Sequence, residues 1–254
     1  MLSLGPALGV FVGGVSFGFA GFAFALFATM ALALDWPPRV VIPAVMLIAD
    51  TLTVPLLWEH RAHLRRDALR EAPPFAPWSA PLLVAGIGVG TLMLGRVSAA
   101  VGRLAVALVV LAFVSFQVTR PMPRGAARPL AHPWTPAGVG FLGGFLDGWL
   151  GTGGAAVAAY LTWRRFTAGP FITALLAYFV VTDLLRVVAY AASGYWTADT
   201  LGLYLRVVPI ALAGYVSGVA LRHFLLPARA FRAAVLFLLT VYGLALIARV
   251  LSGH

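Results

Sequence analysis

Cysteine is absent from this chain of 254 residues. Its absence excludes disulfide bonds, thiol nucleophiles and cysteine-ligated metal sites. Lysine is absent too, so all 18 side chains counted as Lys and Arg are arginines. The sequence also contains no nucleotide-binding or zinc-binding motif. We therefore predict no cofactor, no resident metal and no ATP-driven step within this chain.

Charged residues are scarce, at 10% of the chain against about 25% in soluble domains. Hydrophobic residues make up 61%, and the mean hydropathy is +0.96. Apolar runs of about 20 residues recur, which is the length needed to cross a hydrocarbon core of roughly 30 Å. The net charge of +10 would suggest a nucleic-acid partner in a soluble protein, but here the arginines cluster in loops. The composition therefore predicts an all-α polytopic membrane protein whose partner is the lipid bilayer, not nucleic acid.

Eight apolar segments account for most of the chain. They run approximately over residues 5–34, 40–58, 75–94, 104–118, 136–163, 170–192, 201–221 and 233–250. The first segment has 30 residues, about 45 Å of continuous helix, which is too long for one crossing without strong tilt. Glycine weakens helix interiors by about 1 kcal/mol per residue, so we expect this segment and the fifth to be broken at their glycine runs.

The glycine runs form an internal repeat. Four glycines recur at an offset of 130 residues, the first set being Gly13, Gly14, Gly18 and Gly21 and the second Gly143, Gly144, Gly148 and Gly151. The repeat divides the chain into a first membrane repeat (1–119), a cytoplasmic linker (120–135) and a second membrane repeat (136–254). Glycine-broken segments at matching positions of two halves are typical of secondary transporters and of their substrate sites.

The arginines in loops select a topology. If all eight segments span the membrane, the loop arginines divide evenly between the two sides. If the first segment of each half is a re-entrant hairpin, they divide 12 against 4, which the positive-inside rule favours. We therefore predict two inverted repeats, each with a glycine-broken segment and three spanning helices, and both termini outside the cytoplasm. A long broken span stays an alternative to the hairpin.

The glycine runs are the predicted substrate site. Broken helices at mid-membrane offer backbone N–H groups and a positive dipole end, which together bind anions. Close helix packing through small residues is the competing explanation. The predicted substrate-binding residues are Gly13, Gly14, Ser16, Gly18, Gly21, Gly144, Asp147, Gly148, Gly151, Thr152, Gly153 and Gly154.

Two aspartates, Asp50 and Asp183, lie about ten residues inside their segments. An intramembrane carboxylate is costly and is a functional hypothesis by default. Arg186 follows Asp183 by one turn on the same face, so a structural ion pair is an equal alternative there. The predicted proton-coupling or polar-pore residues are Asp50, Thr51, Thr182, Asp183 and Arg186.

The two glycine runs are not equivalent. Where the second has Gly153 and Gly154, the first has Ala23 and Phe24. We therefore expect the second run to dominate anion binding and Ala23→Val to be tolerated. Asp147 would repel an anion when ionised and could carry a proton with it.

Ser16 lies in a Gly-x-Ser-x-Gly pattern, the nucleophile elbow of serine hydrolases. That motif needs a strand-to-helix turn and a histidine partner, whereas the five histidines lie in loops or at segment ends. We therefore do not expect an enzyme.

The second half resembles a known family. It contains Gly140-Phe-Leu-Gly-Gly-Phe-Leu-Asp-Gly-Trp-Leu-Gly-Thr-Gly-Gly154, Gly194-Tyr-Trp196, Gly214-Tyr-Val-Ser-Gly218 and Tyr242-Gly243. Together with the four-segment halves, this pattern is similar to the sulfite exporter TauE/SafE family, also called the toluene sulfonate uptake permease family.

The resemblance implies a carrier in the bacterial inner membrane for sulfite, organosulfonates or related sulfur-containing anions, often working as an exporter. Asp147 and Asp183 depart from what an anion site would be expected to hold. A cation or proton-coupled carrier using the intramembrane aspartates is therefore the alternative, and a non-transporting membrane subunit is a third. The sequence leaves a homodimer open.

Overall fold

The computed structural model describes residues 3–60, 79–119, 135–164, 166, 168–223 and 228–252. Within these residues every regular element is an α-helix. The described residues form ten helices: α1 (Leu4–Ala20), α2 (Phe24–Leu32), α3 (Pro38–His60), α4 (Ser79–Arg96), α5 (Ala99–Thr119), α6 (Thr135–Leu150), α7 (Gly153–Trp163), α8 (Ala168–Ala192), α9 (Ala198–His223) and α10 (Ala228–Leu251).

These helices coincide with the eight predicted segments, the first and fifth of which are each divided in two. Five helices, α3, α4, α5, α8 and α9, are long and apolar enough to cross a membrane, and α1 and Val235–Leu251 are shorter apolar helices. The all-α polytopic membrane fold is therefore confirmed. The linker predicted at 120–135 lies outside the described residues except for Thr135, so the domain boundaries stay a prediction.

The first break reverses the chain. Gly21 has φ of 74°, and its N–H donates to the Phe17 carbonyl at 2.8 Å, which ends α1. Glycine adopts this left-handed conformation without the steric cost that a Cβ brings. A Cβ placed on Gly9 would lie 2.3 Å from the Cβ of Ala31, near the far end of α2. The two helices therefore pack side by side as an antiparallel hairpin.

The second break has the same form. Gly151 has φ of 67° and donates its N–H to the Asp147 carbonyl at 3.0 Å. A Cβ on Gly143 would lie 3.4 Å from a Val157 methyl group, so α7 folds back along α6. The arms have 17 and 9 residues in the first hairpin and 16 and 11 in the second. The longest measures about 26 Å, short of the roughly 30 Å core, which favours re-entrant hairpins over long broken spans.

Most of the repeated glycines lie where helices cross. A Cβ on Gly14 would come within 2.4 Å of the Ala211 carbonyl oxygen, and one on Gly18 within 2.2 Å of the Tyr215 carbonyl oxygen. Helix α1 therefore packs backbone to backbone on α9. Such close approach is the usual role of small residues four apart in membrane helices.

The same crossing recurs between α6 and α4. A Cβ on Gly144 or Gly148 would lie 2.4 Å from the carbonyl oxygen of Leu83 or Ile87. The partner helices supply matching glycines in return, namely Gly86 and Gly90 on α4 and Gly214 and Gly218 on α9. Each hairpin thus packs on a long helix from the other half of the chain. Inverted orientation of the two halves in the membrane stays a prediction.

Helices α2 and α7 lie inside this arrangement. Every residue of α2 except Ala25 is buried, and the buried residues of the start and middle of α7 join the same apolar core. The long helices expose large apolar side chains instead, among them Leu92, Leu108, Leu205 and Val216. A surface of this kind is unfavourable in water and is typical of lipid contact. The two breaks are therefore enclosed by the spanning helices.

Candidate functional site

A cavity of about 50 Å³ lies between the two breaks. This volume exceeds the roughly 15 Å³ that one water molecule requires. Its wall is made by the starts of α2 and α7 and by one face each of α3 and α8. Its lining includes Phe17, Phe22, Phe24, Ala25, Leu26, Met46, Thr53, Asp147, Gly151, Thr152, Gly154, Ala155, Phe179, Asp183 and Arg186. We refer to this space as the central cavity.

Two helix N-termini face the central cavity. Phe24, Ala25 and Leu26 form the first turn of α2, where helix geometry leaves the N–H groups without an intrahelical acceptor. In the first turn of α7, by contrast, Gly153 donates its N–H to Asp147 Oδ1 at 3.1 Å and Ala155 to the Thr152 carbonyl at 3.0 Å. Unpaired N–H groups are therefore more numerous at the first break, whereas the sequence predicts that the second dominates.

Arg186 supplies the positive charge at this cavity. Its Nη1 lies 3.1 Å from Asp147 Oδ1, and its Nη2 is paired with Asp183 Oδ1. The Asp183–Arg186 pair that the spacing predicts is thus present. The Nε–H of Arg186 is buried and has no hydrogen-bond partner among the described residues. A buried, unpartnered donor costs free energy, so this N–H is poised to receive an acceptor.

Asp147 is held by three donors. Besides Arg186 and the Gly153 N–H, the Tyr178 hydroxyl donates to its Oδ2 at 3.1 Å. The Tyr190 hydroxyl donates nearby to the Gly148 carbonyl at 2.9 Å. Asp147 therefore fastens the second break to α8. Its proton-carrying role stays a prediction from the sequence.

The two repeated aspartates meet. The Asp50 carboxyl on α3 and the Asp183 carboxyl on α8 lie within reach of a hydrogen bond. Two carboxyl groups form such a bond only when one of them carries a proton. The other oxygen of Asp50, Oδ1, has no partner among the described residues. A proton shared by this pair would lie next to Arg186.

The hydroxyl residues of the predicted site have different environments. Thr152 lines the central cavity, and its buried Oγ1 has no partner within the described part of the chain. Ser16 is buried in α1 and does not line the central cavity, although its hydroxyl also has no partner among the described residues. Thr51 donates to the Leu47 carbonyl at 2.8 Å, and Thr182 donates to the Tyr178 carbonyl at 3.0 Å, so both satisfy their own helices.

The predicted glycines also separate into groups. Gly151 and Gly154 line the central cavity, and Gly21 forms the first break. Gly153 lies inside the second hairpin, where a Cβ would be 2.1 Å from the Gly143 carbonyl oxygen. The remaining predicted glycines, which lie at helix contacts, are Gly13, Gly14, Gly18, Gly144 and Gly148.

One expectation from the sequence is at odds with the backbone. Ala23 has φ of 75°, a left-handed conformation that L residues adopt at a cost. A β-branched valine would be strained there, so Ala23→Val is not expected to be tolerated. In the internal repeat Ala23 aligns with Gly153. The left-handed backbone conformation that favours glycine is found at Ala23, however, and not at Gly153.

Several site residues were missed by sequence reasoning. Thr53 lies one turn after Asp50 on α3 and lines the cavity. On α8, Tyr178, Thr182, Arg186 and Tyr190 recur every four residues, so they share one face of the helix. This polar stripe in an apolar segment was a signal that could have identified Tyr178 and Tyr190. Among the described residues, no three His, Asp or Glu side chains are grouped so as to hold a metal ion.

Comparison with known proteins agrees with this architecture. The model of the sulfite exporter TauE/SafE family matches residues 6–246. No curated protein and no solved structure matches the chain significantly. The family match covers both broken hairpins and the central cavity between them. This multi-pass membrane protein therefore belongs to the sulfite exporter TauE/SafE family, a family of membrane transporters of sulfur-containing anions.

Proposed function

We propose that this protein is a secondary transporter that carries sulfite or a small organosulfonate across the bacterial inner membrane, working as an exporter. One observation carries the proposal: residues that line one cavity hold donors without a partner among the described residues. They are the Arg186 Nε–H, the Thr152 hydroxyl and the N-terminus of α2. Sulfite and sulfonate groups present three oxygen acceptors to such donors, and a helix N-terminus favours negative charge.

The size of the central cavity favours a compact anion. At about 50 Å³ it holds little more than a few water molecules. Four aromatic rings in its wall, those of Phe17, Phe22, Phe24 and Phe179, would have to move apart for a bulky aromatic sulfonate. We therefore expect sulfite to be preferred over toluenesulfonate.

The direction of transport follows from the negative charge of the anion. An inside-negative membrane potential expels an anion with about 2.3 kcal/mol per charge per 100 mV. Export of sulfite therefore requires no ATP. Rocking of one half against the other would expose the central cavity to each side in turn.

The first prediction concerns the Thr152 hydroxyl. Thr152→Val removes one donor while keeping the shape of the side chain. If the hydroxyl binds the anion, affinity for sulfite should fall roughly 10- to 100-fold, the equivalent of about 1.5–3 kcal/mol for a hydrogen bond to a charged group. Uptake of labelled sulfite into proteoliposomes measures this change.

Thr29→Val is the matched control, because Thr29 is also buried and unpartnered within the described residues but does not line the central cavity. It should leave affinity unchanged. If the intact protein transports neither sulfite nor small sulfonates, the substrate proposal fails. If Thr152→Val and Thr29→Val lower the affinity for sulfite equally, the Thr152 hydroxyl does not bind the anion.

Proton coupling rests on the aspartate pair. Three carboxyl groups, those of Asp50, Asp147 and Asp183, surround the single guanidinium of Arg186. A proton shared by Asp50 and Asp183 would leave these four side chains with one excess negative charge. An anion that binds in the central cavity adds further negative charge, so its binding should favour uptake of a second proton by the Asp50–Asp183 pair. The proton would then travel with the anion. A doubly charged sulfite would still carry one net negative charge outward, so the membrane potential would still favour export.

The second prediction tests this coupling. Asp50→Asn can still donate a hydrogen bond to Asp183 but cannot take up a proton. We expect exchange of sulfite across the membrane to persist, while accumulation driven by an imposed pH gradient is lost. Asp199→Asn, at an exposed position in the first turn of α9, should behave as the unaltered protein. Loss of exchange as well would instead favour the alternative in which the aspartates bind the transported ion directly.

The orientation in the membrane is also part of the proposal. With two re-entrant hairpins, both termini lie outside, the halves are inverted and the arginine-rich segments 61–70 and 120–128 face the cytoplasm. Helix α3 then begins at the outer surface, and the turn between α4 and α5 lies on that same side. Reporter fusions with a cytoplasmic C-terminus would contradict this orientation.

A further inference from the structure

A second cavity, of about 230 Å³, lies beside the central one. It is enclosed by the starts of α3 and α5 and by the ends of α4 and α6. The residues that define it here are Arg39, Ile42, Leu94, Ser98, Trp149 and Leu150. We refer to it as the vestibule. No residue of the vestibule belongs to the lining of the central cavity.

The vestibule deepens from an exposed rim to a buried floor. Arg39 and Ser98 at its rim are exposed. Ile42, Leu94 and Leu150 at its floor are 1%, 3% and 0% exposed. The rim carries positive charge, because the Arg39 guanidinium lies there and donates to the Gly95 carbonyl. A positive rim above an apolar funnel concentrates anions at its mouth.

Only a thin wall separates the vestibule from the central cavity. Ile42 lies on the vestibule side, and Met46, one turn later on α3, lies on the cavity side. Leu150 lies on the vestibule side, and the next residue, Gly151, lines the central cavity. A Cβ on Gly151 would be 3.5 Å from a methyl group of Ile42, so these two residues are in direct contact. The wall is therefore about one side chain thick.

We propose that the vestibule is the outer half of the transport path and that Ile42 and Leu150 close it in this conformation. The anion would leave the central cavity past these two side chains. Leu150 is the last residue of α6 and precedes Gly151, which has a left-handed backbone conformation. Because the helix ends there, a small displacement of the second break would move the Leu150 side chain and open this route. The identity of the anion and the assignment of the vestibule to the outer side rest on the proposed function, but the existence of the path does not.

Single cysteines test this path, because the natural chain has none. Ser98→Cys (rim), Leu94→Cys (floor) and Met46→Cys (central cavity) would be treated from outside with a charged, membrane-impermeant thiosulfonate. We expect Ser98→Cys and Leu94→Cys to react and Met46→Cys to be protected. Adding Leu150→Ala to Met46→Cys should raise its rate of modification at least several-fold.

Leu92→Cys is the control, because Leu92 lies on α4 with an exposed side chain outside the vestibule, on the surface that we assign to lipid. It should not react. Val97 offers a second vestibule position if Leu94→Cys does not fold. Sulfite is omitted, since it reacts with thiosulfonates; the labelling pattern therefore does not depend on the substrate. If this labelling pattern is observed but the protein does not transport sulfite, the proposed function is refuted and the proposed path is not.

Three results would overturn the path. Modification of Ser98→Cys only from the cytoplasmic side would reverse its orientation. Failure of both Leu94→Cys and Val97→Cys to react would mean that water does not enter the vestibule. Modification of Met46→Cys as fast as Ser98→Cys, without Leu150→Ala, would mean that Ile42 and Leu150 form no barrier.

Discussion

Replacing Arg186 with glutamine is expected to abolish transport and to lower the free energy of unfolding by about 3–5 kcal/mol. Arg186 is 4% exposed and pairs with both Asp147 and Asp183. Without its charge, two buried carboxylates lose their counter-ion. The anion also loses the Nε–H of Arg186, a donor that has no partner among the described residues and belongs to a residue lining the central cavity. Thermal unfolding in detergent and sulfite uptake in proteoliposomes measure the two effects.

Two further variants separate folding from binding. Arg206→Gln removes the same charge at an exposed position of α9 and should change neither quantity. A triple variant that adds Asp147→Asn and Asp183→Asn to Arg186→Gln removes the uncompensated charges, so stability should largely return while transport stays lost. Transport at the normal rate in that triple variant would show that Arg186 does not bind the anion.

Gly153→Ala is expected to destabilise the second hairpin by about 1–3 kcal/mol and to abolish transport. The added Cβ would lie 2.1 Å from the Gly143 carbonyl oxygen and 2.7 Å from the Asp147 Cβ. A backbone carbonyl cannot rotate aside as a side chain can, so α6 and α7 would have to separate. Separation would break the hydrogen bond from the Gly153 N–H to Asp147. Thermal unfolding and sulfite transport are again the measurements.

Gly138→Ala is the matched control on α6, because no atom lies within 4 Å of the position of its Cβ. It should leave transport intact and gain up to about 1 kcal/mol from the higher helix propensity of alanine. The sequence predicts a different cause at Gly153, namely obstruction of the anion. If Gly153→Ala keeps its stability and loses only sulfite affinity, that first interpretation is right and the packing argument is wrong.

The helices and their breaks could be predicted because they depend on local properties. The length of an apolar run and the density of glycine act within one segment, and the eight segments with two broken ones follow from them. The Asp183–Arg186 pair was predictable for the same reason, since one helical turn sets its geometry. The family resemblance, which the match over residues 6–246 confirms, rests on the same local patterns.

The roles of individual glycines could not be predicted. Helix packing and anion approach both require the absence of a Cβ, so Gly14 and Gly151 give the same signal in the sequence. The structure assigns Gly14 to the crossing with α9 and Gly151 to the cavity wall. The deciding fact is which helix faces each glycine, and this depends on contacts between residues about 200 positions apart.

By itself, the sequence determined the membrane class, the eight segments, the two breaks and the family of this protein, because hydrophobic length and glycine content act along the chain. Only the tertiary structure decided that Asp50 and Asp183 lie beside each other, that Asp147 is held by three donors, and that two residues lining one cavity, Arg186 and Thr152, keep groups without a partner among the described residues. The physical reason is that hydrogen bonds and ion pairs act over a few ångströms. Which side chains come that close is set by the crossing of helices from opposite halves of the chain.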